Sequence, residues 1–154
     1  NKIGVDTTGV LSIPNTGNGV LISAGASSNV IGSSGNINYI GFNSGTGVVV
    51  DGATTINNTI RNNSIFNNTG IAIDLTSNGN NNVAAPTIVN YIATGVGVYR
   101  VWGTSALADG TTIDVYQATN AANPSVSPDP SGAGEAFVYL CSTTVSGGNW
   151  ENPG

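Results

Sequence analysis

The sequence predicts an all-β chain in two parts: a short parallel β-helix of about three coils of three strands, followed by an antiparallel β-sandwich. Three observations carry this. Short β-branched clusters recur between Gly, Asn and Ser, and no apolar residues fall at helical spacing. The apolar centre of each cluster returns at a nearly constant interval, which is the signature of a stacked repeat. Composition then changes near residue 82, because 17 of the 22 Asn lie before that point and five of the six Pro after it.

In the first part the clusters are Leu11-Ser12-Ile13, Val20-Leu21-Ile22, Val30-Ile31, Tyr39-Ile40, Val48-Val49-Val50, Thr59-Ile60 and Ile71-Ala72-Ile73. The residues Ile3, Ile13, Ile22, Ile31, Ile40, Val50, Ile60, Ile65 and Ile73 are spaced by ten, nine, nine, nine, ten, ten, five and eight. Asn stands two residues before Ile3, Ile31, Ile40, Ile60 and Ile65, and Gly three residues before Ile22, Val50 and Ile73. Grouped in threes, the template returns every 23 to 29 residues. Each coil of that length buries its apolar face only when a neighbour stacks on it. The expected inward ladders are Ile3, Ile31 and Ile60; Ile13, Ile40 and Ile65; and Ile22, Val50 and Ile73. Asn and Gly suit the corners, since both tolerate left-handed backbone and Asn side chains can stack in ladders along the axis.

The second part reads as strands at Ala85–Val89, Val98–Gly103, Thr112–Gln117 and Ala136–Cys141, with turns such as Asp109-Gly110 between them. The expected division is β-helix coils over 1–77, an Asn-rich spacer over 78–85 and a sandwich over 86–154.

Composition removes most chemistry. Charged residues make up 7% of the chain, with 3 Lys+Arg against 8 Asp+Glu and a pI near 4.1. A nucleic-acid partner is therefore not expected. With no His and one Cys, the chain can build no Ser-His-Asp triad, no Cys-His pair and no His-based metal site. Cys141 reads as a small buried hydrophobe. No stretch reaches the roughly 18 apolar residues of a membrane helix, so no membrane insertion is expected. The chain opens on Asn1-Lys2-Ile3 with no Met and no signal segment, which reads as a processed chain or an excised piece. Low charge and richness in Asn, Gly, Ser and Thr point to a secreted, cell-surface location.

The segments Asn1–Gly9, Asn15–Ile22 and Asn63–Leu75 resemble the right-handed parallel β-helix repeats of large bacterial and archaeal surface proteins. In that family the last coil resembles Asn63–Leu75 and is followed by an Asn-rich spacer and an immunoglobulin-like β-sandwich. The loop Asn123–Glu135 resembles the family's long Asp-Pro-Ser-Gly loop. Cys141 stands where the family pattern usually has Gly. The family continues for about two more strands after a segment like Gly148-Asn149-Trp150, so the resemblance implies a sandwich lacking its last strands.

Few residues qualify as sites. In the expected register Asp51 and Asp74 stack about 4.8 Å apart on the outer face, below Ser23. That pair reads as solvated turn carboxylates, as a calcium site, or as a glycosidase pair of the retaining spacing, about 5 to 5.5 Å. Calcium is the one cofactor this allows; otherwise none is expected. Asn57, Asn62 and Asn67 each open an Asn-x-Ser/Thr acceptor pattern for glycosylation, a pattern that an Asn-rich repeat also produces by chance, and read first as corner or ladder asparagines. Tyr99, Trp102, Tyr116, Phe137, Tyr139 and Trp150 read either as sandwich core or as a sugar-stacking platform. The function expected is that of a non-catalytic extracellular structural protein: a surface-layer, adhesin or filament subunit with a rigid β-helix and a docking sandwich. Carbohydrate binding is the alternative, and a polysaccharide lyase or hydrolase a third. Expected partners are further copies stacked head-to-tail by strand addition or covalent neighbouring domains, with a glycan or cell-surface ligand for the sandwich.

Overall fold

A computed structural model describes residues 1–96, 98–117, 136 and 138–152. The chain is all-β, with strands β1 (Lys2–Ile3), β2 (Val20–Ile22), β3 (Val30–Ile31), β4 (Tyr39–Gly41), β5 (Val48–Asp51), β6 (Thr59–Ile60), β7 (Ser64–Phe66), β8 (Ile73–Thr76), β9 (Thr87–Gly95), β10 (Val98–Thr104), β11 (Thr112–Gln117), β12 (Val138–Thr144) and β13 (Asn149–Asn152). By packing it divides into unit 1, Asn1–Asn82 with Tyr116–Tyr139, and unit 2, Val83–Val115 with Leu140–Gly154. The expected loop over 123–135 lies outside the described residues.

In unit 1 every third strand pairs in parallel, giving the sheets β1-β4-β7, β2-β5-β8 and β3-β6. The chain thus makes three passes, and each of the first two lays one strand on each sheet. Strands of two to four residues form no independent structure, so pairing between passes holds them. Their inward side chains meet in one apolar cluster of Ile40, Val48 and Ile65, flanked by Ile3, Val20, Ile31, Ile60, Ala72 and Ala136. Ile40 and Val48 are wholly buried. At the third pass the Ile65 amide donates to the Ala136 carbonyl, an antiparallel bridge on the β7 edge.

Buried amides reinforce that cluster. Asn1 Nδ2 donates to Asn38 Oδ1 at 2.8 Å, and Asn38 Nδ2 to Asn63 Oδ1 at 2.8 Å. A second ladder runs Asn15 to Asn43 at 2.7 Å and Asn43 to Asn68 at 2.8 Å. A third runs Asn29 to Asn58 at 2.8 Å and continues to Asn80, whose Oδ1 accepts the Asn58 amide at 2.9 Å. Asn63 and Asn68 close their ladders on the Ile31 and Ile40 carbonyls. An unpaired amide in such a site would cost about 1–3 kcal/mol, so the ladders fix the register of the passes.

The register differs from the expected one in three places. Ile3 pairs with Ile40, which pairs with Ile65, while Ile31 and Ile60 form a separate ladder. Ile13 joins no strand and is exposed, because residues 5–14 form an inserted loop closed by a Val5–Ser12 bridge. Val50 pairs with Leu75, and Ile73 pairs with Val48. The position of Gly19 and Gly47 is therefore taken in the third pass by Ala72, two residues after the expected Gly70. Sterics explain the exchange. A Cβ on Gly19 would lie 2.5 Å from Ile40 and one on Gly47 2.4 Å from Ile65, both in the following pass. β8 is the last strand of its sheet, so Ala72 meets no such neighbour. Gly4 and Gly41 give way to Phe66 in the same manner.

In unit 2, β10 pairs antiparallel with both β9 and β13, and β11 pairs with β12. Alternation along β11 buries Ile113 and Val115, which meet Val145 and Trp150 in a second core with Val101, Leu107 and Cys141 packed against it. Trp150 lies over Gly103, where a Cβ would come within 2.5 Å of the indole. β9 differs: all nine of its residues are exposed.

Candidate functional site

The Asp51 and Asp74 carboxylates are not stacked, which corrects the expected pair. Asp51 opposes Thr76 and Asp74 opposes Val49, two residues out of step. Such a diagonal offset is roughly 7–8 Å rather than one strand spacing. Thr76 Oγ1 donates to Asp51 at 2.8 Å, and hydrogen bonds from Thr76 and Ser77 hold the Asp51 carboxyl below its usual range. The offset follows from the two-residue shift at Ala72, which sequence spacing alone does not show.

Asn57, Asn62 and Asn67 all adopt the left-handed conformation, with φ of 59°, 54° and 51°. Each directly precedes a ladder residue, Asn58, Asn63 or Asn68, and the third position of each acceptor pattern opens or follows a strand. The bend aims the next side chain into its ladder. Phe42 before Asn43 and Ser28 before Asn29 bend the same way. Asn62 is buried, Asn67 half-buried and Asn57 exposed. A repeated Asn-Asn-Ser/Thr thus has a conformational origin in this chain.

Six of the eight acidic residues are described, and five of them accept hydrogen bonds, Asp6 within its own loop and the others from distant segments. Asp6, which sequence reading did not single out, accepts from Thr8 Oγ1 at 2.7 Å and from the Val10 and Leu11 amides at 3.1 Å. These bonds, the Thr8 hydroxyl foremost, hold its carboxyl far below the ordinary aspartate range. Asp109 accepts the Gly147 amide and Asp114 the Ser142 hydroxyl. Glu151 pairs with Arg100, which lowers the carboxyl and raises the guanidinium. Among the described residues no three His, Cys, Asp or Glu gather as metal ligands.

Unit 2 carries two surface features. One is an open cleft of about 450 Å³ lined by Trp102, Gly103, Thr143, Thr144, Asn149 and Glu151 among others. The Arg100 guanidinium lies 5.9 Å from the Trp102 ring centroid, and Trp150 is buried with its indole N–H on the Thr104 carbonyl. Of the other aromatics considered above, Tyr99 is exposed and packs edge-on against Tyr91, Tyr116 and Tyr139 pack edge-on against each other, and Phe137 lies outside the described residues. Cys141 is a half-buried free thiol, pushed up by burial and by the Asp114 charge.

The second feature is β9, the outer strand of the β13-β10-β9 sheet. Ile88, Val89, Tyr91 and Ile92 are all more than half exposed, and the strand holds no charge and no Pro. Its apolar residues fall on both parities, so neither face is marked as solvent-facing. That pattern is expected of a strand covered on both faces, so the exposure of this edge was not legible in the sequence. In comparisons with known proteins, no family model, no curated protein and no solved structure matches the chain.

Proposed function

We propose that the protein is a non-catalytic extracellular structural element. Unit 1 is a short right-handed parallel β-helix serving as a rigid spacer, and unit 2 an immunoglobulin-like β-sandwich serving as a docking module. The observation that carries this reading is β9, a nine-residue outer strand exposed along its whole length. Ordinary edge strands are short, charged, bulged or interrupted by Pro; β9 is irregular against β10 at Thr94 and Val89 but has none of the charge or Pro that would block pairing. A second copy of the strand is its natural complement. Antiparallel pairing about Tyr91 sets Val89 opposite Ala93 and Ile88 opposite Thr94 with no charge opposed to charge. The dispersed carboxylates support the non-catalytic part, because general acid, base and electrophile roles need converging groups.

Light scattering of the full chain over a wide concentration range tests the docking role. Self-association that Tyr91→Lys abolishes, with thermal unfolding unchanged, is the expected result; a monomer at every concentration sinks it. Reducing or unsaturated ends released from pectin-like or glucan substrates, and lost in Asp74→Asn, would sink the non-catalytic part. The cleft beside Trp102 favours glycan binding as a second reading, since an indole face with Thr, Asn and Glu at its rim suits a sugar ring.

A further inference from the structure

An Asn or Asp followed by Gly occurs at Asn18-Gly19, Asp51-Gly52, Asn78-Gly79 and Asp109-Gly110. At three of these pairs the glycine amide is occupied: Gly19 donates to the Thr46 carbonyl at 3.0 Å, Gly52 to Thr76 at 3.1 Å and Gly110 to Val145 at 2.8 Å. Asn18 is tied twice, since its Oδ1 also accepts the Thr46 amide at 2.9 Å. Asn78-Gly79 differs. Among the described residues the Gly79 amide and the Asn78 side chain make no hydrogen bond, and Asn78 is exposed. The pair sits in a run of left-handed backbone, with φ of 50° at Ser77, 64° at Asn78 and 48°, 55° and 49° at Asn80, Asn81 and Asn82. L residues hold that conformation at a cost, so other contacts must pin the segment. Gly79 is buried so closely on β5 that a Cβ there would lie 2.0 Å from the Val50 carbonyl oxygen. Asn80 is pinned three times: its amide donates to the Thr55 carbonyl at 2.8 Å, its Nδ2 to the Asn58 carbonyl at 2.7 Å, and its Oδ1 accepts the Asn58 amide at 2.9 Å.

We propose that Asn78-Gly79 is a self-modification site, which converts to aspartate and isoaspartate and thereby releases the last rung of the third asparagine ladder. The chemistry needs only water. The Gly79 nitrogen attacks Asn78 Cγ and forms an N–C bond; the bond from Cγ to the side-chain nitrogen breaks, and that nitrogen leaves as ammonia with the proton lost from the Gly79 amide. Water opens the resulting succinimide at Cγ to give aspartate, or at the backbone carbonyl to give isoaspartate, in which the main chain runs through Cγ and is one atom longer. Glycine after the asparagine leaves the attacking nitrogen uncrowded. The longer link has no room beside Val50, so the added atom displaces Asn80 from Asn58 and Thr55. Asn18-Gly19 carries the same two residues and is spared, because ring closure there must break both bonds to Thr46.

The full chain is incubated folded in mildly alkaline buffer, then digested and mapped by mass spectrometry, with isoaspartate scored by enzymatic methylation. Asn78 is expected to gain the mass of amide-to-acid conversion at least about tenfold faster than Asn18, whose two bonds must open first. In urea, where neither site is held, the two rates should converge. Equal rates in the folded chain overturn the proposal, as does a difference that persists unchanged in urea, which would come from the flanking sequence and not from the fold. Amide hydrogen exchange then reads the consequence. Exchange at Asn58 and Asn80 should quicken by about tenfold in the aged chain. Asn78→Gly keeps the left-handed backbone and cannot form the ring, so the same ageing should leave its Asn58 and Asn80 exchange slow. Unchanged exchange in the isoaspartate form, or equal quickening in aged Asn78→Gly, overturns the release of the ladder.

Discussion

Unit 1 holds strands of two to four residues together by burying polar groups, whereas unit 2 leaves a nine-residue apolar strand in water. In unit 1 the buried side chains include Asn38, Asn43, Asn58, Asn63 and Asn68, each with a side-chain partner in a neighbouring pass. In unit 2 the core is Ile113, Val115, Val145 and Trp150, and Ile88, Val89, Tyr91 and Ile92 stay outside it. Burial of an amide costs free energy unless every bond is made, so unit 1 tolerates little error in register. The first region is thus held by internal satisfaction of its polar groups, and the second leaves an apolar outer strand uncovered.

The largest expected effect comes from breaking the unit 1 core. Ile40 is wholly buried between Ile3 and Ile65, and Asp in its place would put an unpaired charge in the centre of the unit 1 core. Ile40→Asp should cost more than about 4 kcal/mol and unfold unit 1. Ile92→Asp in the exposed β9 should leave chemical denaturation nearly unchanged. Denaturation curves that shift equally for the two would erase the contrast between the units.

A smaller effect sharpens the same contrast. Asn43 is buried, accepts from Asn15 and donates to Asn68, so Asn43→Ala removes two side-chain bonds and strands their partners. The expected loss is about 1–3 kcal/mol. Asn90 in β9 accepts its neighbour's amide and is exposed, and Asn90→Ala should change stability by less than about 0.5 kcal/mol. Urea midpoints measured side by side decide it; an inert Asn43→Ala would mean the ladders contribute nothing to register.

The parallel pairing of Ile31 with Ile60, Ile40 with Ile65 and Ile22 with Val50 was legible because β-branched residues recur where an inward face requires them. Ile13 misled because an inserted loop carries an apolar residue at the interval of the repeat. Gly70 misled because Gly marks a tight contact with the following pass, and the last strand has none, so Ala72 fills that place. Asn was visible as a repeated residue, but which Asn bends the chain and which enters a ladder depends on φ, which composition does not carry. The Asp51–Asp74 stack failed with the register that produced it. In β11 apolar Ile113 and Val115 alternate with polar neighbours and are the buried pair, whereas in β9 apolar residues on both parities did not tell that the strand is exposed.

Acid should act on the two units through different carboxylates, and this is the smallest effect. Asp6 and Asp51 in unit 1 and Glu151 in unit 2 are each held below their usual range in the folded chain. A carboxyl with a depressed folded value contributes stability above its unfolded value, about 3.9 for Asp and 4.3 for Glu, and loses it as pH falls through the folded value. Stability should therefore decline below about pH 4. Asp6 is the most depressed, and its partners are the Thr8 hydroxyl and two amides of its own loop, groups that stay in place in salt. Glu151 depends on the exposed Arg100 ion pair, which salt screens. Adding salt should accordingly weaken the part of the acid loss that comes from unit 2 and leave the Asp6 part, while Asp6→Asn should flatten the acid decline at any ionic strength. Urea midpoints from neutral pH to below 3, with and without salt, measure both. An acid decline in Asp6→Asn as steep as in the parent chain would show that the loop bonds of Asp6 do not stabilise the folded state.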